Sequence, residues 1–358
     1  MNKINQPFTL PCGVTIPNQI VKSAMSENNA DKGGKPSDRI IRLYETWGKG
    51  GAGILISGNV MMDSKALGEA HNVVVEDEKY LTELTQWAMA TQENGTHLWM
   101  QINHPGRQAP KFNKEVVSPS DVLLPIMKGF FKKPRPLTEA EIWEIIEGFG
   151  RTALVAKKAG FKGVQIHGAH GYLVSQFLSS LTNLRTDKWG GSLENRTRFV
   201  VEIYRNIRAK VGANYPIGTK INSADFQRGA FTEEESLEVI QLLAKEGMDM
   251  IEVSGGTYER AAMMGRSVKK STQEREAFFA DFIVKARAIT DVPLMLTGGF
   301  LTRKVMEEAL QNNELDFIGM ARPFAINPNI AKDLLEGKIE KAPKGNVDTG
   351  IKFIDKMG

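Results

Sequence analysis

Pro293-Leu-Met-Leu-Thr-Gly-Gly299 and, one helix length later, Phe317-Ile-Gly-Met-Ala-Arg322 carry the reading of the fold. Each is a short apolar run ended by glycine or polar residues. Neither alternates strictly, as expected of a parallel strand covered on both faces. Outward from this pair the pattern recurs at Ile20–Ser26, Gly53–Val60, His97–Ile102, Gly163–His167, Pro216–Ile221 and Met250–Gly255, which makes eight strands. The intervening segments have helical spacing: Ile142, Ile145, Ile146, Phe149, Ala153 and Ala156 fall on one face, as do Phe199, Val200, Ile203, Ile207 and Val211. Thr138 with Glu141, and Thr232 with Glu235, read as capping boxes at helix starts. Strands alternating with helices in this number predict an α/β protein, a (β/α)8 TIM barrel forming one domain over residues 1–358. A doubly wound sheet fits less well, because no Gly-x-Gly-x-x-Gly turn follows the first strand.

Two segments exceed a minimal barrel. Residues 7–18 carry turn formers between apolar ends and predict a hairpin closing the barrel bottom. Residues 104–137 follow strand three, are rich in Pro and Lys, and predict a lid over the C-terminal face, where barrel active sites form.

Composition removes several function classes. The 358 residues are 41% hydrophobic and 25% charged, which argues against disorder. Cys12 is the single cysteine, so no intrachain disulfide or cysteine-ligated iron–sulfur cluster is expected. No apolar run reaches the roughly 18 residues of a membrane span, and no signal peptide is evident, so a cytoplasmic location is expected. Lys and Arg number 46 against 42 Asp and Glu, a net +4 spread along the chain, which gives no nucleic-acid footprint.

Barrel chemistry sits at the C-terminal strand ends. Those ends are polar, glycine-rich and poor in carboxylates, unlike a glycosidase. Gly298-Gly299 and Ala321-Arg322 end strands seven and eight, the standard phosphate position of the fold. Backbone N–H groups at glycines, with Arg322 as a charge-assisted donor, suit a phosphate. His167-x-x-His170 is open to three readings: metal ligands, core histidines, or neutral donors clamping an oxyanion or carbonyl. Tyr172, with a phenol protonated at neutral pH, is a candidate acid.

The run His167-Gly-Ala-His-Gly-Tyr-Leu-Val-Ser-Gln-Phe-Leu-Ser179, followed by Asn183-Leu-Arg-Thr-Asp-Lys-Trp-Gly-Gly-Ser-Leu-Glu-Asn-Arg-Thr-Arg-Phe199, closely resembles the signature of the Old Yellow Enzyme family of FMN oxidoreductases. The resemblance continues through Gln101-Ile-Asn-His-Pro-Gly-Arg-Gln108, Ile251-Glu-Val-Ser-Gly-Gly256 and Gly319-Met-Ala-Arg322, and covers nearly the whole chain. It implies non-covalent FMN with NAD(P)H as reductant. By position, Ser23, Ala24, Met25, Ser26 and Gly58 would line the isoalloxazine. Gln101 would read its pyrimidine edge, and Lys220 would stand near N1 and O2. Gly298, Gly299, Ala321 and Arg322 would cradle the phosphate. His167 and His170 would bind the substrate oxygen, and phenols as phenolates. Tyr172 would donate the proton while hydride comes from flavin N5.

The implied activity is ene-reduction of α,β-unsaturated carbonyl or nitro compounds. A thioester reductase lacking the iron–sulfur cluster and a non-catalytic flavin-binding barrel are the alternatives. Ser26 stands where many relatives carry Cys, so no redox-tuning thiol is expected there. Salt bridging is the expected role of Arg185, Asp187, Glu194 and Arg196; His104, Arg107 and Arg228 match family positions without an assigned role. Oligomeric state, a homo-oligomer included, is left open.

Overall fold

A computed structural model of the chain describes residues 2–91, 95–127, 129–257, 259 and 279–344. Residues 260–278 and 345–358, which the single-domain expectation includes, lie outside the described residues. Eight parallel strands close into a barrel: β1 (Ile20–Lys22), β2 (Ile54–Ile56), β3 (His97–Asn103), β4 (Gly163–Gly168), β5 (Ile217–Asn222), β6 (Met250–Ser254), β7 (Leu294–Thr297) and β8 (Phe317–Met320). Each pairs with the next in sequence, and β8 pairs with β1 through Ile318↔Ile20 and Gly319↔Val21, which closes the ring. A helix returns the chain after each strand: α1 (Asp38–Gly48), α2 (Leu81–Met89), α3 (Glu139–Ala159), α4 (Leu193–Val211), α5 (Glu233–Glu246), α6 (Ala280–Arg287), α7 (Arg303–Gln311) and α8 (Ile330–Leu335). The TIM-barrel expectation holds. No helix among the described residues is long and apolar enough to cross a membrane.

Local signals act as their chemistry dictates. Thr138 and Thr232 accept from the amides of Glu141 and Glu235, whose carboxylates return to the cap amides, so two helix starts lose their orphan donors. Arg185 pairs with Asp187. Arg196 pairs with Glu235, which ties α4 to the cap of α5.

Five strands, β1, β2, β6, β7 and β8, are shorter than the apolar runs suggest, β1 and β2 most of all. β1 ends at Lys22, and only the Ser23 amide continues the ladder, to Met320 O. The second run breaks at residues 57–59, then resumes as Val60–Met61 against β3. The break has a local cause. The Ser57 hydroxyl accepts from Gln101 N, and the Gly58 amide is drawn off to Glu27, so side chains take over the ladder there.

Inward positions recur every second residue along each strand. The lowest are apolar: Val21, Ile54, Ile56, Trp99, Met250, Met295 and Phe317 form one cluster, joined by Leu10 and Ile16. Ile16 belongs to, and Leu10 directly follows, the strands of an antiparallel pair, Phe8–Thr9 with Thr15–Ile16, and Phe8 meets Phe317 edge-on at 5.0 Å. Trp99 spans this floor, and it can do so because β4 offers no side chain opposite. A Cβ on Gly163 would lie 2.6 Å from the indole. Gly163→Ala is therefore expected to lower stability by about 1–3 kcal/mol through overpacking. The denaturant midpoint should fall with unchanged slope; an unchanged midpoint would mean that Trp99 does not fill the floor.

Candidate active site

Above the floor the inward side chains turn polar. Gln101 of β3, Gln165 of β4, Lys220 of β5 and Glu252 of β6 occupy one level, and all are buried. Register sets them side by side: Gln165 faces Gln101, and Lys220 faces Glu252. Gln101 Nε2 donates to Gln165 Oε1 at 2.7 Å, and Gln165 Nε2 donates to Glu252 Oε2 at 2.7 Å. Lys220 Nζ stands 2.9 Å from Glu252 Oε1. That contact is an ion pair off the hydrogen-bonding direction, since Oε1 has no aligned donor. A buried charge needs such a partner to be tolerated.

The next polar inward positions are Ser23, His167, Asn222, Ser254 and Thr297, and His167 is the register partner of Lys220. Ser23 Oγ lies 2.7 Å from Thr297 Oγ1, which joins β1 to β7. His167 Nδ1 accepts from the Ala169 amide at 3.3 Å, which leaves Nε2 as the N–H donor of the neutral ring. His170 has a left-handed backbone, φ 62°. Its N–H donates to Asn222 Oδ1, its C=O accepts from Gln108 Nε2, and its Nε2 lies 2.9 Å from Ser254 Oγ. These contacts hold a conformation that few non-glycine residues adopt. Asn222 is oriented in turn by Asp225, whose carboxyl burial pushes up to about 6.

Tyr172 caps the short helix Leu173–Leu178 and is buried. Its ring centroid is 4.7 Å from that of His167, which is 5.2 Å from that of His170. Asn59 Nδ2 donates to the Tyr172 oxygen at 3.2 Å. Burial, then the Lys220 charge, holds both imidazoles well below the usual histidine range; for His170 the neighbouring His167 adds to this. Both rings are thus neutral near pH 7.

A second buried cluster shapes the wall made by β1 and β2. Lys22 Nζ donates to Ile56 O at 2.9 Å and to Ser23 O, and lies 4.4 Å from the Trp47 ring centroid. Burial pushes this ammonium down to about 8. Glu27, pushed up by burial, accepts from the Tyr44 hydroxyl and from Gly58 N. A Cβ on Gly58 would lie 2.2 Å from Met25 O and from the Glu27 carboxylate, so the wall tolerates only glycine there. Ala24 and Met25 are half-buried beside it, and the exposed Ser26 hydroxyl donates to the Glu69 carboxylate.

Gly298 and Gly299 follow β7, both with positive φ, and Ala321 and Arg322 follow β8. The β7–β8 pairing, Thr297↔Gly319, brings the two loops together. Arg322 is exposed and has no ion pair among the described residues. Of the matched residues without a role, Arg107 is buried against Glu259 at 2.7 Å, and Arg228 is exposed. His104 is buried, its ring pushed down to about 4 by desolvation.

Gln165 and Asn222 escaped the sequence reading, and Glu252, Ser254, Asn59 and Gln108 received no role in it. Four of them lie two positions from a residue that was singled out or from one another: Gln165 before His167, Asn222 after Lys220, and Glu252 before Ser254. The period of two on one strand face is the signal that could have found them.

The donor set fits FMN. Gln101 Oε1 has no partner among the described residues and offers an acceptor for a ring N–H. Lys220 supplies a cation at the same level. The backbone N–H groups of Gly298 and Gly299 and the exposed Arg322 guanidinium are donors of the kind a phosphate needs. A profile of the NADH:flavin oxidoreductase / NADH oxidase family matches residues 3–341. The NADH-dependent flavin oxidoreductase iliE of Hypocrea jecorina is 38% identical over 355 residues, 92% of this chain and 88% of that protein. A 2-naphthoyl-CoA reductase structure superposes with TM-score 0.88 at 28% identity, over 96% of this chain and 54% of that one. This chain thus spans about half the length of that protein. An Old Yellow Enzyme homologue from Zymomonas mobilis superposes with TM-score 0.81 at 22% identity, over 96% and 95%, and shares the fold. FMN is the cofactor, with NAD(P)H as its reductant. With that match over nearly its whole length, the chain belongs to the NADH:flavin oxidoreductase / NADH oxidase family, the Old Yellow Enzyme group.

Proposed function

We propose that this chain is an ene-reductase that saturates the C=C bond of α,β-unsaturated carbonyl or nitro compounds at the expense of NAD(P)H. The observation that carries the reading is the cluster of His167, His170 and Tyr172 at the end of β4, where His167 is the register partner of Lys220. FMN, when bound, would supply the hydride chemistry, taking a hydride from the nicotinamide and delivering it to the β-carbon of the alkene. The chain's own residues do the rest. Neutral imidazoles donate to the substrate's carbonyl or nitro oxygen without a charge that would bind carboxylates indiscriminately. His167 Nε2–H is free for this, because Nδ1 is occupied. His170 is anchored through Ser254 at Nε2, so Nδ1 is the atom it can turn to the ligand. The same donors suit phenols held as phenolates.

Tyr172 supplies the proton to the α-carbon. Asn59 donates to its oxygen at 3.2 Å and so stabilises the phenolate that forms. Ser23, Ala24, Met25, Ser26 and Gly58 would form the wall against the cofactor ring. Gln101 and Lys220 would hold its pyrimidine edge, and Gly298, Gly299, Ala321 and Arg322 would hold its phosphate.

Residues 104–137 act as the lid. Arg185 donates to Pro119 O and Leu137 O, and Ser120 Oγ accepts from Leu184 N, so the lid's flanks are fixed. Phe112, Leu123 and Phe130 remain exposed on it. A cavity of about 200 Å³ beside it is lined by Arg107, Leu123, Gln176, Asp225 and Thr257. A thioester carbonyl is within reach of the same donors, and the likeness to the naphthoyl-CoA reductase supports including that class.

Two outcomes test the reading. Arg322→Ala should weaken FMN retention by about 1.5–3 kcal/mol, the worth of a charge-assisted bond. Equal FMN affinity in mutant and parent would remove Arg322 from the phosphate site. Tyr172→Phe keeps the ring but deletes the O–H. Stopped-flow measurement should show nicotinamide oxidation nearly unchanged and alkene reduction slowed about 10²–10⁴-fold. Equal slowing of both steps, or no slowing of the alkene step, would mean the phenol is not the acid.

A further inference from the structure

The four-residue level inside the barrel has a direction, and Glu252 sets it. A carboxylate only accepts, so the Gln165 NH2 must face Glu252 and its C=O must face Gln101. Gln101 then turns its own NH2 to Gln165, and its Oε1 is left with no partner among the described residues. The same carboxylate stands beside Lys220, with side-chain exposures of 4% for Lys220 and 0% for Glu252. In so dry a setting neither charge is screened by solvent, and the field of each reaches the space above.

We propose that Glu252 is a positioning residue that tunes the cofactor. It fixes Gln101 as an acceptor and offsets the charge of Lys220, thereby lowering the reduction potential of bound FMN. The proposal rests on the reading of Lys220 as the cation beside the cofactor's pyrimidine edge. Two electrons and one proton leave one net negative charge on the ring. Lys220 favours that charge and Glu252 opposes it, so the potential reflects the pair and not the lysine alone.

The test is anaerobic equilibration of the FMN-loaded protein with a reference dye of known potential. Glu252→Gln removes the charge and keeps the side chain's shape. It should raise the ratio of reduced to oxidised cofactor at fixed poise at least tenfold, about 30 mV for a two-electron couple. Lys220→Gln should shift the ratio in the opposite direction, and the double variant should return toward the parent. A Glu252→Gln ratio within threefold of the parent, or lowered, while Lys220→Gln still shifts, would overturn the proposal and leave Glu252 a structural group. If neither variant moves the ratio, the placement of Lys220 beside the cofactor fails as well. Should Glu252→Gln not fold, Glu252→Asp withdraws the carboxylate by one methylene and must shift the ratio the same way by a smaller step. An unchanged or lowered ratio there overturns the proposal equally.

Discussion

The ion pair of Lys220 and Glu252 is the constraint around which the barrel is arranged. Two charges taken out of water cost several kcal/mol each unless they meet and their remaining groups are satisfied. Gln165 and Gln101 meet that need on the carboxylate side. Trp99, Met250, Met295 and Phe317 seal the floor below, so water cannot enter from that end. The polar interior is affordable only because the apolar floor and the two amides surround it. The consequence is a buried cation close to Gln101, whose Oε1 has no partner among the described residues.

The same logic governs the mouth. Burial and the Lys220 charge keep His167 and His170 neutral. The strained backbone of His170 is held at its amide, its carbonyl and its ring by groups from three other segments of the chain. Tyr172 is reached by Asn59, from the break in the second strand run. That break, with Lys22 and Glu27 behind it, turns what would be an ordinary strand end into a wall with a bare glycine backbone.

Much of this was legible in the sequence because it is local. Continuous apolar runs mark all eight strands, and threonine–glutamate spacing marks the starts of α3 and α5. His167, His170 and Tyr172 lie within six residues of one another, so their proximity is nearly dictated by the turn after β4. The non-local partners were not legible. Gln165 meets Glu252 across 87 residues, and Arg196 chooses Glu235 over the nearer Glu194. Strand ends were overextended for a related reason: Ser57 and Glu27 intercept ladder groups by side-chain bonds that an apolar pattern does not encode.

The central claim is that one site serves both a nicotinamide and an activated alkene. The most direct measurement is anaerobic. The FMN-loaded protein is reduced with one equivalent of NADH or NADPH, then mixed with enones, maleimides and nitroalkenes while flavin absorbance is followed. The account requires that the nicotinamide bleach the yellow band and that at least one activated alkene restore it, with one saturated product formed per cofactor. A bleached protein that returns only on exposure to oxygen or a quinone would contradict it.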